Sequence, residues 1–327
     1  MSVARWTDPR FIGEVHRWLG DTCDRLGLTL AGPIEQPHVR PWSTVFRARA
    51  SGDTVHLKVC GPSQIHEPAL TVLLAREFAG ITAVVLAVHP TEPWMLVADA
   101  GAKLRDAFTG TPLLAQWEAI LPRYAELQRA MVARERELLS LGTPDRRLTR
   151  LATDLDAALE DEAVLRVGRP DGLSEDERGR LRALLPRIDA LCAELASAGI
   201  GASIQHDDLH DGNVLVGRGR LVVFDWGDAC LTHPFMTLTV TLRVAAHRVG
   251  LDERAPEVLR LRDAYLEPWT AVAPLAELRE AGDLASRLGT ISRALSWYDL
   301  VTKVDGALAS EPDAIPSALR RALDALS

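Results

Sequence analysis

The stretch from Gln205 to Ala229, QHDDLHDGNVLVGRGRLVVFDWGDA, holds the side chains best suited to chemistry. A short polar loop, His206-Asp207-Asp208-Leu209-His210-Asp211-Gly212-Asn213, runs into an apolar segment at 214–216. A Gly-Arg-Gly turn leads to a second apolar run, 221–224, which stops at Asp225. Physically this is loop, strand, tight turn, strand, acid. Asn213 stands at the entrance of the hairpin and Asp225 at its exit, so their oxygen ligands meet. Asp208 sits on the loop just outside them. Three hard oxygen groups carried on rigid strands suit Mg²⁺ and a polyphosphate. A rival reading makes His206, Asp207, Asp208, His210 and Asp211 the metal cluster of a hydrolase, because His and carboxylates in one run can ligate zinc. It leaves Asn213 and Asp225 unexplained, and no HExxH or Cys/His spacing occurs elsewhere in the chain.

His-x-Asp, four residues, then Asn, with a later Asp at a strand end, is the spacing of the protein kinase catalytic loop, here without its Arg. The form His-x-Asp-Leu-His-x-Gly-Asn, followed by Asp-Trp-Gly-Asp-Ala, resembles the aminoglycoside phosphotransferase and choline kinase-like family, tightly over roughly 204–235. The resemblance implies ATP and Mg²⁺ as cofactors. It implies Asp208 as the catalytic base, orienting a substrate hydroxyl, and Asn213 and Asp225 as metal ligands. His206 becomes a structural residue that holds the loop. The family has Gly where this chain has Asp207. If that position needs positive φ, Asp bears it less well than Gly but better than a branched residue. A second Asp there could also receive a cationic acceptor.

Such a loop needs a nucleotide-binding region before it. Thr54-Val55-His56-Leu57-Lys58-Val59 alternates like a half-buried strand, with Lys58 placed to reach α- and β-phosphates. Nine residues on, Glu67 opens an apolar-periodic segment whose Pro68 fits a first helical turn. Glu67 reads either as the partner that holds Lys58 extended or as an acid favoured by the helix dipole. A hairpin candidate at 39–48 precedes this strand and closes on it through Ser51-Gly52-Asp53. Its Ser43 and Thr44 read equally as phosphate-binding hydroxyls or as ordinary turn residues. A third strand pair, 83–88 and 94–98, ends in Asp99-Ala100-Gly101. In the resembling family this is the hinge, whose backbone at Ala98 to Ala100 meets the adenine edge.

Beyond Gly101 the pattern is mostly helical. Helices are expected over 113–139, around Leu148–Leu159, after a capping box at Ser174-Glu175-Asp176-Glu177, over 235–249, and over 254–282 and 284–306. Strands first and helices later give a two-lobed α+β protein kinase-like fold. A small N-terminal antiparallel sheet lobe with a helix, 1–101, binds nucleotide. A larger, mainly helical C-terminal lobe, 102–327, carries catalysis and substrate binding.

Composition narrows the partners. A formal net charge of −8 argues against nucleic acid. No run is long and apolar enough for a membrane span, and the N-terminus carries no signal region. Cys23, Cys60, Cys192 and Cys230 are scattered without disulfide or metal spacing, which points to a cytoplasmic setting. The partner is a small-molecule acceptor. Asp207, Asp211, Asp228, Asp299 and Asp305 are the acids that could receive a cationic one, with Trp297 and Tyr298 either lining a pocket or packing a helix. Three functions follow from the resemblance: ATP-dependent O-phosphorylation of an aminoglycoside-like antibiotic, conferring resistance; the same chemistry on an amino alcohol, amino sugar or homoserine; and nucleotide binding without turnover. Oligomeric state has no signature in the sequence.

Overall fold

The computed structural model describes residues 3–327. Helix α1 (Pro9–Arg25) begins where Asp8 accepts hydrogen bonds from the amides of Arg10 and Phe11 at 2.8 and 3.3 Å, and Pro9 fills the first turn. Its Phe11, Val15 and Leu19, four residues apart, form one buried stripe. The stripe packs on a five-stranded antiparallel sheet of order β1-β2-β3-β5-β4, built from β1 (Leu30–Arg40), β2 (Ser43–Ala50), β3 (Asp53–Cys60), β4 (Val85–Val88) and β5 (Trp94–Ala98). Phe46, Val55, Leu57, Trp94 and Leu96 complete that core. The β2–β3 turn has Ser51 and Gly52 both at positive φ, 51° and 84°, which matches the type I′ geometry favoured by right-twisted strands.

Helix α2 (Glu67–Glu77) leaves the sheet and buries Leu70, Leu73 and Leu74 in a second, larger core. That core is otherwise mainly helical. It includes α3 (Gly110–Met131), α4 (Leu148–Leu159), α5 (Glu175–Ala196), α6 (Leu238–Val249), α7 (Pro256–Leu266), α8 (Leu275–Lys303) and α9 (Ala314–Leu326). The Ser174 capping box closes α5 as expected, with reciprocal bonds to Glu177 of 3.1 and 2.8 Å. Set into the helices are β7 (Ser203–Gln205) paired with β10 (Cys230–Thr232), and β6 (Ala102–Lys103) paired with the hairpin β8 (Val214–Gly217) and β9 (Arg220–Val223). Gly101, at φ 98°, lets the chain cross this hairpin: a Cβ there would stand 2.2 Å from the Val216 carbonyl oxygen.

Some helix boundaries differ from expectation. The helix expected over 113–139 ends at Met131, and a separate short one covers Glu135–Ser140. The break expected at 283 does not exist, because α8 runs through it and the chain instead breaks before Leu275, at Pro274. Gly282 and Gly289 are helical here. A Cβ on Gly289 would meet Thr239 Oγ1 at 2.1 Å, so this glycine serves close packing of α8 on α6.

Two histidines of the large core carry a pH dependence. Burial lowers the pKa of His66 to about 4 and that of His233 to about 3. Both rings stay neutral in the folded chain where the unfolded chain takes up protons, below about pH 6.5. The stability present above that pH is therefore lost as pH falls from about 6.5 towards 4, at about 1.4 kcal/mol per pH unit for each ring. Urea unfolding across this window should show the falling midpoint, and His233→Leu should lessen the fall, with His66 keeping its share. A midpoint indifferent to pH would contradict neutral burial.

Candidate active site

The turn between β8 and β9 is Arg218-Gly219, both at positive φ, 52° and 73°, a second type I′ hairpin. It brings the hairpin ends together: the Phe224 amide donates to the Asn213 carbonyl at 3.1 Å, which sets Asn213 beside Asp225. The Asn213 side-chain amide donates to the Asp208 carbonyl oxygen at 3.0 Å, leaving its Oδ1 for a cation. Asp225 keeps one carboxylate oxygen on Lys58, and its side chain is 38% exposed. These two donors are the hard oxygen type that Mg²⁺ takes.

Two aspartates here sit in the left-handed region, Asp207 at φ 61° and Asp225 at φ 64°. Such backbone costs about 1–2 kcal/mol per residue outside glycine, and it concentrates at functional loops. The position that is Gly in the resembling family does require positive φ. His206 is fully buried, its Nε2 donating to the Phe224 carbonyl at 2.9 Å and its ring 4.9 Å from that of Trp226. Burial lowers its pKa. It holds the loop against the hairpin.

Lys58, at the inner end of β3, reaches across to α2 and to the end of β9. Its Nζ lies 2.6 Å from Glu67 and 2.5 Å from Asp225. Of the two readings of Glu67, the structure has the ion pair, and the carboxylate is wholly buried. Burial alone would pull the lysine pKa down, but the two carboxylates outweigh it and raise it, so the ammonium is permanent. The same ammonium outweighs burial at Asp225 and holds that carboxyl below its usual range.

Arg293, on α8, carries no local signal in the sequence. Its guanidinium lies 3.1 Å from Asp208, 2.6 Å from Asp228 and 3.8 Å from Asp207, and stacks 5.0 Å from the Trp297 ring centre. Burial would raise the Asp208 pKa, but Arg293, with His210 Nε2 at 3.4 Å, holds it well below the carboxylate range. Asp208 is thus held ionised and oriented.

The remaining candidates are spread out. Asp207 turns inward, accepting from Ser292 Oγ at 3.1 Å and Gln205 Nε2 at 3.2 Å, so it does not face an acceptor as the sequence reading allowed. Asp211 is bound by Arg248 at 2.8 Å, and Asp299 by Arg146 at 2.7 Å. The loop side chains therefore diverge, and among the described residues no group of three His, Cys, Asp or Glu converges as a metal cage. Ser43 and Thr44 open β2 and are buried. The Thr44 hydroxyl donates to the His38 carbonyl at 2.7 Å and accepts from Gln36 at 2.8 Å, so it is already engaged. Ala98 gives its amide to the Val84 carbonyl at 2.9 Å, and Ala100 lies against Gly217. Tyr298 donates to Asp161 at 3.3 Å.

The sequence model of the phosphotransferase enzyme family matches residues 80–277. No curated protein matches the chain. Among solved structures, the choline kinase LicA from Streptococcus pneumoniae has a TM-score of 0.61 at 14% identity, covering 96% of this chain and 99% of its own. The Plasmodium vivax ethanolamine kinase has a TM-score of 0.60 at 13% identity, covering 92% of this chain and 82% of its own. The macrolide 2'-phosphotransferase MphH from Brachybacterium faecium has a TM-score of 0.56 at 18% identity, covering 90% of this chain and 96% of its own. At these identities the likeness is one of fold. It accords with the α+β, kinase-like architecture.

The Lys58 bridge makes a prediction. Glu67→Leu should cost about 3 kcal/mol of stability, the low end for breaking a buried pair because Asp225 remains. Adding Lys58→Met should recover most of that loss, as a double-mutant cycle by urea unfolding would show. Losses that simply add would mean that the two side chains do not act as a pair.

Proposed function

The chain belongs to the phosphotransferase enzyme family, and from that premise we propose that it is an ATP-dependent kinase of a small molecule bearing a hydroxyl group. The observation that carries this reading is the meeting of Lys58, Asp225, Asn213 and Asp208 at one point, from β3, both ends of the catalytic hairpin and the loop before it. Residues 1–101 form the nucleotide-binding lobe and 102–327 the catalytic one. Lys58, held by Glu67, takes the α- and β-phosphates once its bond to Asp225 is exchanged for them. The backbone at Ala98 and Ala100 borders the adenine. Of the two hydroxyls considered for phosphate, Thr44 is spent within the sheet, and Ser43 stands at the start of the same strand.

Asn213 Oδ1 and the Asp225 carboxylate would hold Mg²⁺, which when bound neutralises charge on the phosphates. The chain's own residues do the rest. Asp208 accepts a hydrogen bond from the acceptor hydroxyl and orients its oxygen towards the γ-phosphorus. As the new O–P bond forms, the bond from the γ-phosphorus to the β-bridging oxygen breaks. ADP leaves with that electron pair, and the hydroxyl proton passes to Asp208. The transition state is loose, so positioning and a fixed field dominate. A binding module without turnover would not need an ionised Asp208.

The similar folds include choline and ethanolamine kinases and antibiotic phosphotransferases, by their names. An aminated acceptor, whether antibiotic or amino alcohol, is what those names suggest. The pairing of this chain's own acids does not favour it. Among the described residues no helix is long and apolar enough to cross a membrane, and all four cysteines are free and buried, which accords with work in the cytoplasm.

Mg²⁺-dependent ADP release, measured over a panel of hydroxyl compounds of either charge, tests the reading. At least one acceptor should stimulate release, and Asp208→Asn should lower kcat by about 10²–10⁴-fold with the fold intact. Full activity in Asp208→Asn would remove Asp208 from its role.

A further inference from the structure

Trp297, on α8, joins two parts of the site that lie far apart in the chain. The Arg293 guanidinium lies 5.0 Å from its ring centre, and the same guanidinium is 3.1 Å from Asp208. The Trp42 ring meets Trp297 edge to face, with 6.4 Å between centres and 88° between planes. Trp42 belongs to the turn between β1 and β2, so this contact crosses from the sheet to α8. Although Trp42 is part of the sheet, its half-buried ring packs against the helical core, not against the core that α1 shares with the sheet.

The turn that carries Trp42 is well placed and stiff. In the pairing of β2 with β3, Val45 stands opposite Lys58 and Ser43 opposite Cys60. The Pro41–Trp42 turn therefore overhangs the Lys58 end of the sheet. On one side of the turn, Trp6 Nε1 donates to the Arg40 carbonyl at 2.7 Å. On the other, the Gly61 amide donates to the Trp42 carbonyl at 2.7 Å, an approach that a Cβ on residue 61 would block, 2.5 Å from that oxygen. Gly61 leads into the short turn of 3-10 helix Pro62–Gln64. Gln64 is buried, and its Nε2 donates to Asp228 Oδ1 at 3.4 Å, while Asp228 Oδ2 holds Arg293 at 2.6 Å. The sheet thus reaches Arg293 by two routes, one through the tryptophan pair and one through Asp228. A guanidinium bonds carboxylates in its own plane and stacks with its face, so the ring beneath it fixes the plane in which its fork meets Asp208.

We infer that Trp297 and Trp42 are positioning residues: Trp297 fixes Arg293, and so the aim of Asp208, and Trp42 makes that aim depend on the β1–β2 hairpin lying closed on α8. The inference rests on the kinase reading above and adds to it a coupling between the nucleotide side of the cleft and the base. Asp208 is set when the hairpin is down over the phosphates and loosened when the hairpin lifts.

Two measurements test it. The first needs no turnover. In protein labelled with ¹⁵N-arginine, the Arg293 Nε–Hε signal, identified by its loss in Arg293→Lys, should be shifted upfield by the ring on which it stacks. Trp297→Leu should return it towards the ordinary arginine position. Trp42→Leu should move it the same way, although the ring contact of Trp42 is with Trp297. Trp42→Phe, which keeps an aromatic edge, should leave the signal near its place. A signal indifferent to Trp42→Leu, in a variant whose urea midpoint shows it folded, overturns the inference. The second measurement uses an acceptor that stimulates ADP release. Trp42→Leu and Trp297→Leu should each lower kcat about tenfold, the order of one aromatic contact, with the acceptor KM little changed. The double variant should lose no more than the worse single one, and Trp42→Phe should restore most of the rate. Losses that multiply overturn the inference. So does a raised acceptor KM at unchanged kcat, which would make the pair a wall of the acceptor pocket and leave the kinase reading standing. An Arg293 signal that answers to Trp42, without turnover on any acceptor, supports the coupling and counts against the kinase reading instead.

Discussion

A lysine ammonium without water around it must be paired, and the structure is arranged around how Lys58 meets that demand. Its two carboxylates come from different parts of the chain, Glu67 from the first turn of α2 and Asp225 from the end of β9. One charge therefore ties the sheet, the helix behind it and the β8–β9 hairpin. Leaving such an ion unpaired costs several kcal/mol, so the sheet region and the helical region keep their mutual register. The Glu67 carboxylate is wholly buried and that of Asp225 part-exposed. Glu67 is thus the fixed partner, and Asp225 the accessible one.

A second arginine-centred knot does for the loop what Lys58 does for the sheet. The peptide at Asp207 is left-handed, which swings that side chain into the core and leaves Asp208 facing out. Arg293 closes on both and on Asp228. Three carboxylates crowded about one point, two from the loop and one from beyond the hairpin, would otherwise repel one another. The guanidinium fixes Asp208 in orientation and keeps it ionised. The acids around Arg293 are then matched inside the molecule.

Local signals were legible in the sequence, and distant pairings were not. The hairpin of β8 and β9 followed from two apolar runs about a Gly-Arg-Gly turn. The Lys58–Glu67 pair followed from nine residues that carry a strand end back over a helix start. The capping box at Ser174 lies within four residues. Arg293 could not be read, because its partners sit on a loop that is near only once α8 packs. The break expected at 283 does not occur because Gly282 lies within α8, packed against Leu238 and Leu266. Helix α1 was passed over although Asp8, Pro9 and the spacing of Phe11, Val15 and Leu19 announced it. Thr44 alternates inward on β2, and that settled its hydroxyl on the backbone.

The central claim is that this loop moves a phosphoryl group onto an organic hydroxyl. The most direct measurement is ³¹P NMR of the protein with Mg²⁺, ATP and an acceptor that stimulates ADP release. The account predicts a new phosphate monoester resonance that grows as the γ-phosphate signal of ATP fades, and that is abolished in Asp208→Asn. Growth of inorganic phosphate alone, with the acceptor unmodified, would contradict it.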